Sequence, residues 1–158
     1  MKIIAVDPGI EKTGYAVFEG NLYITSGLIK TSKTHSLPKR LAEIYNALKI
    51  IIEKNNPQLL VLEQLFFFKN KKTIINVSQA QGIILLLAHL KRIKVDFLTP
   101  LQIKQTITGY GRADKKSMQK MLSFQKNIPK IKEDDEIDAI ACGLAFYYLN
   151  KERNFSQL

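Results

Sequence analysis

Residues 3–9 read Ile-Ile-Ala-Val-Asp-Pro-Gly, a short apolar run that ends in a carboxylate and then a turn. The run is about one strand long, and no polar residue interrupts it, as is typical of a strand covered on both faces. Asp7 stands where the strand stops, and Pro8 and Gly9 turn the chain. A carboxylate at such a strand end points into a crevice without burying its charge in the core. We therefore interpret Asp7 as the first ligand of a divalent-metal site whose other ligands come from distant parts of the chain.

The size of the chain predicts one domain with a full core, because it has 158 residues of which 46% are hydrophobic. We expect this domain to span residues 1–151, with a C-terminal tail at 152–158. Cys142 is the one cysteine, which excludes an intrachain disulfide and fits a cytoplasmic protein. We expect no signal peptide and no membrane partner, because no apolar run has the required length.

The charge balance favours a polyanionic partner. The net charge is +10, from 24 Lys and Arg against 14 Asp and Glu, and such an excess suits nucleic acid. The alternative is a basic surface that only reflects a lysine-rich composition. The arrangement of the few acids, and not the charge, favours the first interpretation.

The hydrophobic pattern predicts an α/β fold with a five-stranded mixed sheet, three antiparallel strands and then parallel strands, flanked by helices. The predicted strands are 2–7, 14–18, 22–29, 59–62 and 93–98, and the predicted helices are 39–54, 71–92, 100–107, 115–125 and 133–150. A right-handed crossover through the first helix makes the fourth strand parallel to the first. Asp7 and Glu63 both end such strands, so we expect them to converge where the strand order reverses.

An acidic cluster opens the last predicted helix. Asp135 and Asp138 are three residues apart and share one helix face. The alternative is that these acids only cap the helix and favour its positive end, which explains Glu133 and Asp134 well. It explains Asp138 poorly, because Asp138 lies beyond the cap and borders the apolar stripe. Which acid of 133–135 faces the metal stays open.

A set of four carboxylates suits Mg²⁺, with Mn²⁺ as a substitute, because both ions prefer hard oxygen ligands. Such a set can hold two ions, one that activates the attacking water and one that stabilises the leaving oxygen of a phosphodiester. We therefore predict that Asp7, Glu63, Asp135 and Asp138 are the catalytic and metal-binding residues.

Two stretches have the composition of a DNA-binding surface. Phe66, Phe67 and Phe68 precede Lys69, and aromatic rings beside lysines suit unstacked bases and phosphates. The alternative is that at least one of these rings lies in the core. The segment 103–132 is strongly basic and can follow a phosphate backbone, with a solvated lysine face as the alternative; it contains Lys104, Arg112, Lys115 and Lys116.

The predicted helix 71–92 is apolar around much of its circumference. One face would pack on the sheet, and the surplus suggests a second buried face in a homodimer. The alternative is a core helix of a monomer.

At this point the motifs resemble a known family. Asp7-Pro8-Gly9 with Thr13-Gly14, then Val61-Leu62-Glu63-Gln64, then Asp135-Glu136-Ile137-Asp138-Ala139, in this order and over nearly the whole chain, are similar to the RuvC family of Holliday junction resolvases. The resemblance implies an RNase H-like nuclease domain and a homodimer that nicks two opposing strands of a four-way DNA junction symmetrically, during recombination and repair. It also implies action together with the Ruv branch-migration complex.

The resemblance also implies residue roles. Asp7, Glu63, Asp135 and Asp138 match the four catalytic acids, and Lys104 and Lys115 match basic residues that contact the DNA backbone near the cut. Phe66 matches an aromatic that stacks on a base at the junction. The adjacent Phe67 and Phe68 depart from the family pattern and leave the identity of the stacking ring open.

Two other function classes fit parts of the sequence. The Asp7-x-Gly9 turn with Gly14 also looks like the first phosphate loop of kinases and ATPases of the actin and sugar-kinase type. Such proteins need a second, duplicated domain, for which this chain is too short. A DNA-binding relative without catalysis would have a broken acid set, whereas all four positions here are acidic.

Overall fold

The computed structural model describes residues 1–65 and 71–155. Five strands and five helices follow one another in the order β1, β2, β3, α1, β4, α2, β5, α3, α4, α5 in this part of the chain. Their bounds are β1 Lys2–Asp7, β2 Lys12–Glu19, β3 Leu22–Lys30, α1 Leu37–Asn55, β4 Leu59–Glu63, α2 Lys71–Leu90, β5 Lys94–Leu98, α3 Pro100–Thr108, α4 Lys115–Ser123 and α5 Asp134–Phe155.

The sheet has the strand order β3-β2-β1-β4-β5, with β1 at its centre. β1 pairs antiparallel with β2 and parallel with β4, and β4 pairs parallel with β5. The predicted mixed sheet is therefore confirmed, including the neighbouring positions of β1 and β4. In the register of this pair, Val6 lies beside Leu62, so the residues that follow them, Asp7 and Glu63, leave the sheet side by side.

The side chains of β1 are buried on both faces of the sheet, which explains why its sequence does not alternate between apolar and polar residues. Ile4 and Val6 pack in the core layer under α1 and α2, whereas Ile3 and Ala5 pack in the layer under α3, α4 and α5. α5 comes close to the sheet at Gly143, where a side chain would collide with Phe18.

α2 is apolar on two sides, as the sequence predicted. Ala80, Ile84 and Leu87 are fully buried against the sheet. On other sides of the same helix, Leu86 is 51% exposed and Leu90 is 58% exposed. This face has no covering element from the described residues of its own chain.

Helix α5 is longer than predicted. It continues through Phe155, past the expected end near Asn150, so the expected domain boundary after residue 151 falls inside a helix. In the described part of the chain, none of the helices has both the length and the apolar character needed to cross a membrane.

Candidate metal centre and DNA-binding groove

The strand ends bring two of the predicted acids together. Asp7 is the last residue of β1, and Glu63 is the last residue of β4. Both line a depression of about 860 Å³ at the edge of the sheet. Because β1 lies between an antiparallel and a parallel neighbour, this depression is at the point where the strand order reverses, as predicted for a ligand site.

Helix α5 brings the third acid to the same depression. Gly14 lies opposite Asp7 in the β1–β2 register, and its backbone touches the carbonyl of Asp135 so closely that a methyl group on Gly14 would collide with it. The absence of a side chain at Gly14 therefore lets the first turn of α5 approach the sheet. As a result, Asp135 lines the depression together with Asp7 and Glu63.

The remaining acids at the start of α5 point elsewhere. Glu133 accepts hydrogen bonds from Lys12, at 2.8 Å, and from Lys30, at 3.2 Å, and both lysines belong to the β2–β3 hairpin. Asp134 pairs with Lys115 at 3.2 Å. Of residues 133–135, Asp135 alone lines the depression.

Asp138 lies in an adjoining depression of about 250 Å³ that shares Glu63 and Pro100 with the first one. Lys104 and Lys115 line this second depression. The two depressions thus adjoin at Glu63 and Pro100 as one groove that all four acids line. We call this the acidic groove.

The environment of the groove raises the pKa values of three of its acids, Asp7, Glu63 and Asp138. Burial raises the pKa of Asp7 to about 8, and the negative charges of Asp138, Asp135 and Glu63 add to the effect. Burial, and then the charge of Asp138, raises the pKa of Glu63. Burial also raises the pKa of Asp138, although Lys115 opposes this shift. The groove thus holds negative charges that a bound cation would stabilise.

Lys115 supplies part of the missing positive charge. It is the first residue of α4, and its Nζ lies 3.2 Å from carboxylate oxygens of both Asp134 and Asp138. Partial burial lowers the pKa of Lys115, but the charge of Asp138 and the hydrogen bonds to both acids outweigh burial and raise it. Lys115 is therefore held as a cation beside the acids.

The donor chemistry fits a hard divalent ion, because the groove offers carboxylate oxygens that lack sufficient counter-charge. Within residues 1–65 and 71–155, however, no three carboxylate, imidazole or thiol groups are grouped closely enough to hold a single ion. The carboxylates and the repulsion between them support a metal site. The side chains themselves are not arranged around an ion, because Lys115 pairs with Asp134 and Asp138.

The other predicted DNA-binding residues lie in three different places. Lys104 is on α3, where a capping box between Thr99 and Gln102 fixes the helix start at the groove. Arg112 lines a separate depression of about 470 Å³, away from the acids. Lys116 is exposed on α4. Phe66, Phe67 and Lys69 fall outside the described residues.

Sequence reasoning missed Arg40. This residue of α1 lines the larger of the two depressions, whereas Lys104 lines the smaller one. It belongs to the first turns of an amphipathic helix, where an arginine is ordinarily a solvated surface residue, so no sequence signal marked it.

Comparison with known proteins identifies the family. The family model described as "Crossover junction endodeoxyribonuclease RuvC" matches residues 3–146. The chain belongs to the RuvC family. The RuvC protein of Thermosipho melanesiensis is 44% identical over 146 residues, which are 89% of this chain and 93% of that protein. The RuvC protein of Petrotoga mobilis is 42% identical over 160 residues, covering 98% of this chain and 97% of the relative.

A solved structure agrees in fold with this RuvC family member. The structure of T. thermophilus RuvC in complex with a Holliday junction substrate superposes with a TM-score of 0.87, at 22% identity, over 96% of each chain. The predicted RNase H-like fold is thereby confirmed, as is the predicted family.

Proposed function

We propose that this protein is a structure-specific endonuclease that resolves Holliday junctions, by metal-dependent hydrolysis of one phosphodiester in each of two opposing strands. The observation that carries the proposal is the convergence of acids from the ends of β1 and β4 and from the start of α5 on one groove. Membership of a family of crossover junction endodeoxyribonucleases supports it. Because the proposed substrate is chromosomal DNA, we expect the protein to act in the cytoplasm.

The metal centre that we propose consists of Asp7, Glu63, Asp135 and Asp138. These carboxylates would hold Mg²⁺, with Mn²⁺ as a substitute, and we propose two ions per site. When bound, the ions supply an activated water nucleophile and stabilise the leaving oxygen. Because Lys115 donates to Asp138, this carboxylate would hold an ion only if Lys115 gave up the contact, and the ammonium would then be available to a DNA phosphate.

The proposed DNA interface surrounds the acids. Lys104 and Lys115 line the groove beside Glu63 and Asp138, within reach of a phosphate next to the cut. Arg112 and Lys116 extend the positive surface along the same strand or a neighbouring arm. Phe66 and Phe67, with Lys69, are proposed to stack on a base at the junction and to contact its phosphate.

We also propose that two copies of the chain pair through α2, in the predicted helix region 71–92. The exposed Leu86 and Leu90 support this, because apolar side chains on one helix face favour burial against a partner. Two active sites in one dimer would cut the two opposing strands. We further propose action with the Ruv branch-migration complex, and one nuclease domain over residues 1–151 with α5 continuing beyond it.

The test is strand cleavage on a labelled synthetic four-way junction and on a linear duplex of the same sequence. We expect paired nicks in opposing strands of the junction in Mg²⁺, no nicks in the duplex, and no cutting in chelator. We also expect that Asp7→Asn binds the junction without cutting it. Tight binding of the unmodified protein without cutting in either Mg²⁺ or Mn²⁺ would contradict the proposed function.

A further inference from the structure

The acids of the groove would repel the phosphates of a DNA strand, and the lysines described so far would reduce this repulsion beside Glu63 and Asp138. A DNA strand that places one phosphate at the acids also brings its flanking phosphates past them. Lys104 and Lys115 face the strand at one end of the groove. The larger depression, which Asp7 and the turn after it line, contains Lys12, which is paired with Glu133, and the guanidinium-bearing residue Arg40.

A hydrogen bond to Thr31 fixes the position of the Arg40 guanidinium. Its Nε donates a hydrogen bond to Thr31 Oγ1 at 2.8 Å. The Thr31 side chain is nearly buried, its hydroxyl donates to the carbonyl of Ile10, and its backbone N–H donates to the carbonyl of Glu11 at 3.0 Å. Thr31 therefore ties α1 to the turn after β1, which follows Asp7 directly.

The hydrogen bond to Thr31 determines which N–H donors of Arg40 remain available to another acceptor. A guanidinium has five N–H donors in a fixed fork, and the contact with Thr31 uses the one on Nε. The donors on the two terminal nitrogens remain for a planar, two-oxygen acceptor, which is the geometry of bidentate phosphate binding.

Neighbouring acids do not neutralise this guanidinium. Among the described residues, the acid nearest in sequence is Glu43 on α1, whose carboxylate contacts His35 Nδ1 at 2.7 Å, and Glu11 pairs with Lys33 at 3.1 Å. No Asp or Glu in this part of the chain forms an ion pair with Arg40. Arg40 is thus a positioned cation without an anionic partner in this part of the chain, in the wall of a groove that we propose receives a polyanion.

We propose that Arg40 binds the phosphate that flanks the scissile phosphate on the α1 side of the acids, and that Thr31 is a positioning residue that orients its guanidinium. This inference rests on the proposed function, because it requires a DNA strand in the groove. It gives the strand a cation on each side of the acids and so fixes where the scissile phosphate stops between them.

The test compares Arg40→Gln with a matched control, Lys39→Gln. Lys39 is the preceding residue of α1, is exposed and lies outside the residues that line the acidic groove, so its substitution removes the same charge from the same helix. We expect Arg40→Gln to lower the nicking rate about tenfold or more, and to reduce the slope of log affinity against log salt by about 0.9, the value for one phosphate contact. We expect Lys39→Gln to match the unmodified protein in both measurements.

A phosphate scan then locates the contact. Junctions are prepared with a single neutral methylphosphonate at each phosphate that flanks the cut. We expect one phosphate position at which neutralisation slows nicking by the unmodified protein and by Lys39→Gln about tenfold. At this position neutralisation should slow Arg40→Gln less than twofold, because that variant already lacks the contact.

Thr31→Val keeps the charge of Arg40 but removes the hydroxyl that positions it, so we expect slower nicking with an unchanged salt slope. Thermal unfolding of each variant verifies that it is folded.

Two failures are distinguishable. If Arg40→Gln equals Lys39→Gln in salt slope and in its response at every methylphosphonate position, while the unmodified protein cuts the junction, Arg40 does not bind phosphate. If the unmodified protein cuts no junction, the proposed function is wrong. The Arg40 contact is then tested by junction binding alone, and a salt slope for Arg40→Gln equal to that of the unmodified protein would overturn it.

Discussion

Neutralising Asp7 should stabilise the metal-free protein while it abolishes cutting. Asp7 is kept half-buried at the end of β1, where burial and three neighbouring acids raise its pKa from 3.8 to about 8. A raised pKa means that the folded state binds the proton more tightly than the unfolded state does. The metal-free protein is therefore most stable below the unfolded pKa, and it loses this stability as the pH rises toward 8.

The magnitude follows from the shift. At about 1.36 kcal/mol per unit, the full shift corresponds to roughly 6 kcal/mol of unfavourable ionisation. Solvent screening at a partly exposed group reduces what is measured, and we expect Asp7→Asn to recover about 2 kcal/mol at pH 8. For a chain of this size, 1 kcal/mol changes Tm by about 2–4 °C, so the variant should melt roughly 4–8 °C higher.

The assay is thermal unfolding in chelator at pH 4, 6 and 8, with Glu53→Gln as a control. Glu53 pairs with Lys91 on the surface, and this contact lowers its pKa, so its loss should not stabilise the protein. We expect the gain from Asp7→Asn to be close to zero at pH 4 and to increase toward pH 8. A gain that is equal at all three pH values, or a loss of stability at pH 8, would refute the assigned repulsion among the acids.

Three further predictions concern other parts of the fold. Gly14→Ala should destabilise the protein by about 1–3 kcal/mol and slow nicking, because the added methyl group collides with the Asp135 carbonyl; an unchanged Tm and rate would show that the contact is unimportant. Asp135→Asn should abolish nicking. Glu133→Gln, two residues earlier, should leave the nicking rate within a few-fold of that of the unmodified protein, because Glu133 is bonded to the β2–β3 hairpin; equal effects of the two substitutions would contradict the different orientations of these acids. Leu86→Asp should halve the mass measured by light scattering, and an unchanged mass would argue against a dimer through α2.

The sequence predicted the centre of the fold because the decisive features are local. An uninterrupted apolar run that ends in Asp7, and a second that ends in Glu63, define two buried strands and their acidic ends. One crossover helix of predictable handedness then places the strands side by side. The long helices were also predictable from local sequence, because each has apolar residues at helical spacing.

What the sequence could not supply depends on contacts between distant elements. The orientation of Asp135 depends on how closely α5 approaches Gly14, and the orientation of Glu133 depends on Lys12 and Lys30, which lie on other elements. Arg40 went unrecognised because its position depends on a tertiary hydrogen bond. The end of α5 was predicted too early, since the polar residues after Asn150 still continue the helix.

The most direct test of the central claim is anomalous diffraction from crystals grown with Mn²⁺. We predict Mn²⁺ peaks in the acidic groove within coordination distance of Asp7, Glu63 and an acid of α5, with Lys115 displaced from Asp138. Peaks only at other surface carboxylates, with the Lys115–Asp138 ion pair intact at high Mn²⁺, would contradict the proposal that these four acids form a metal centre.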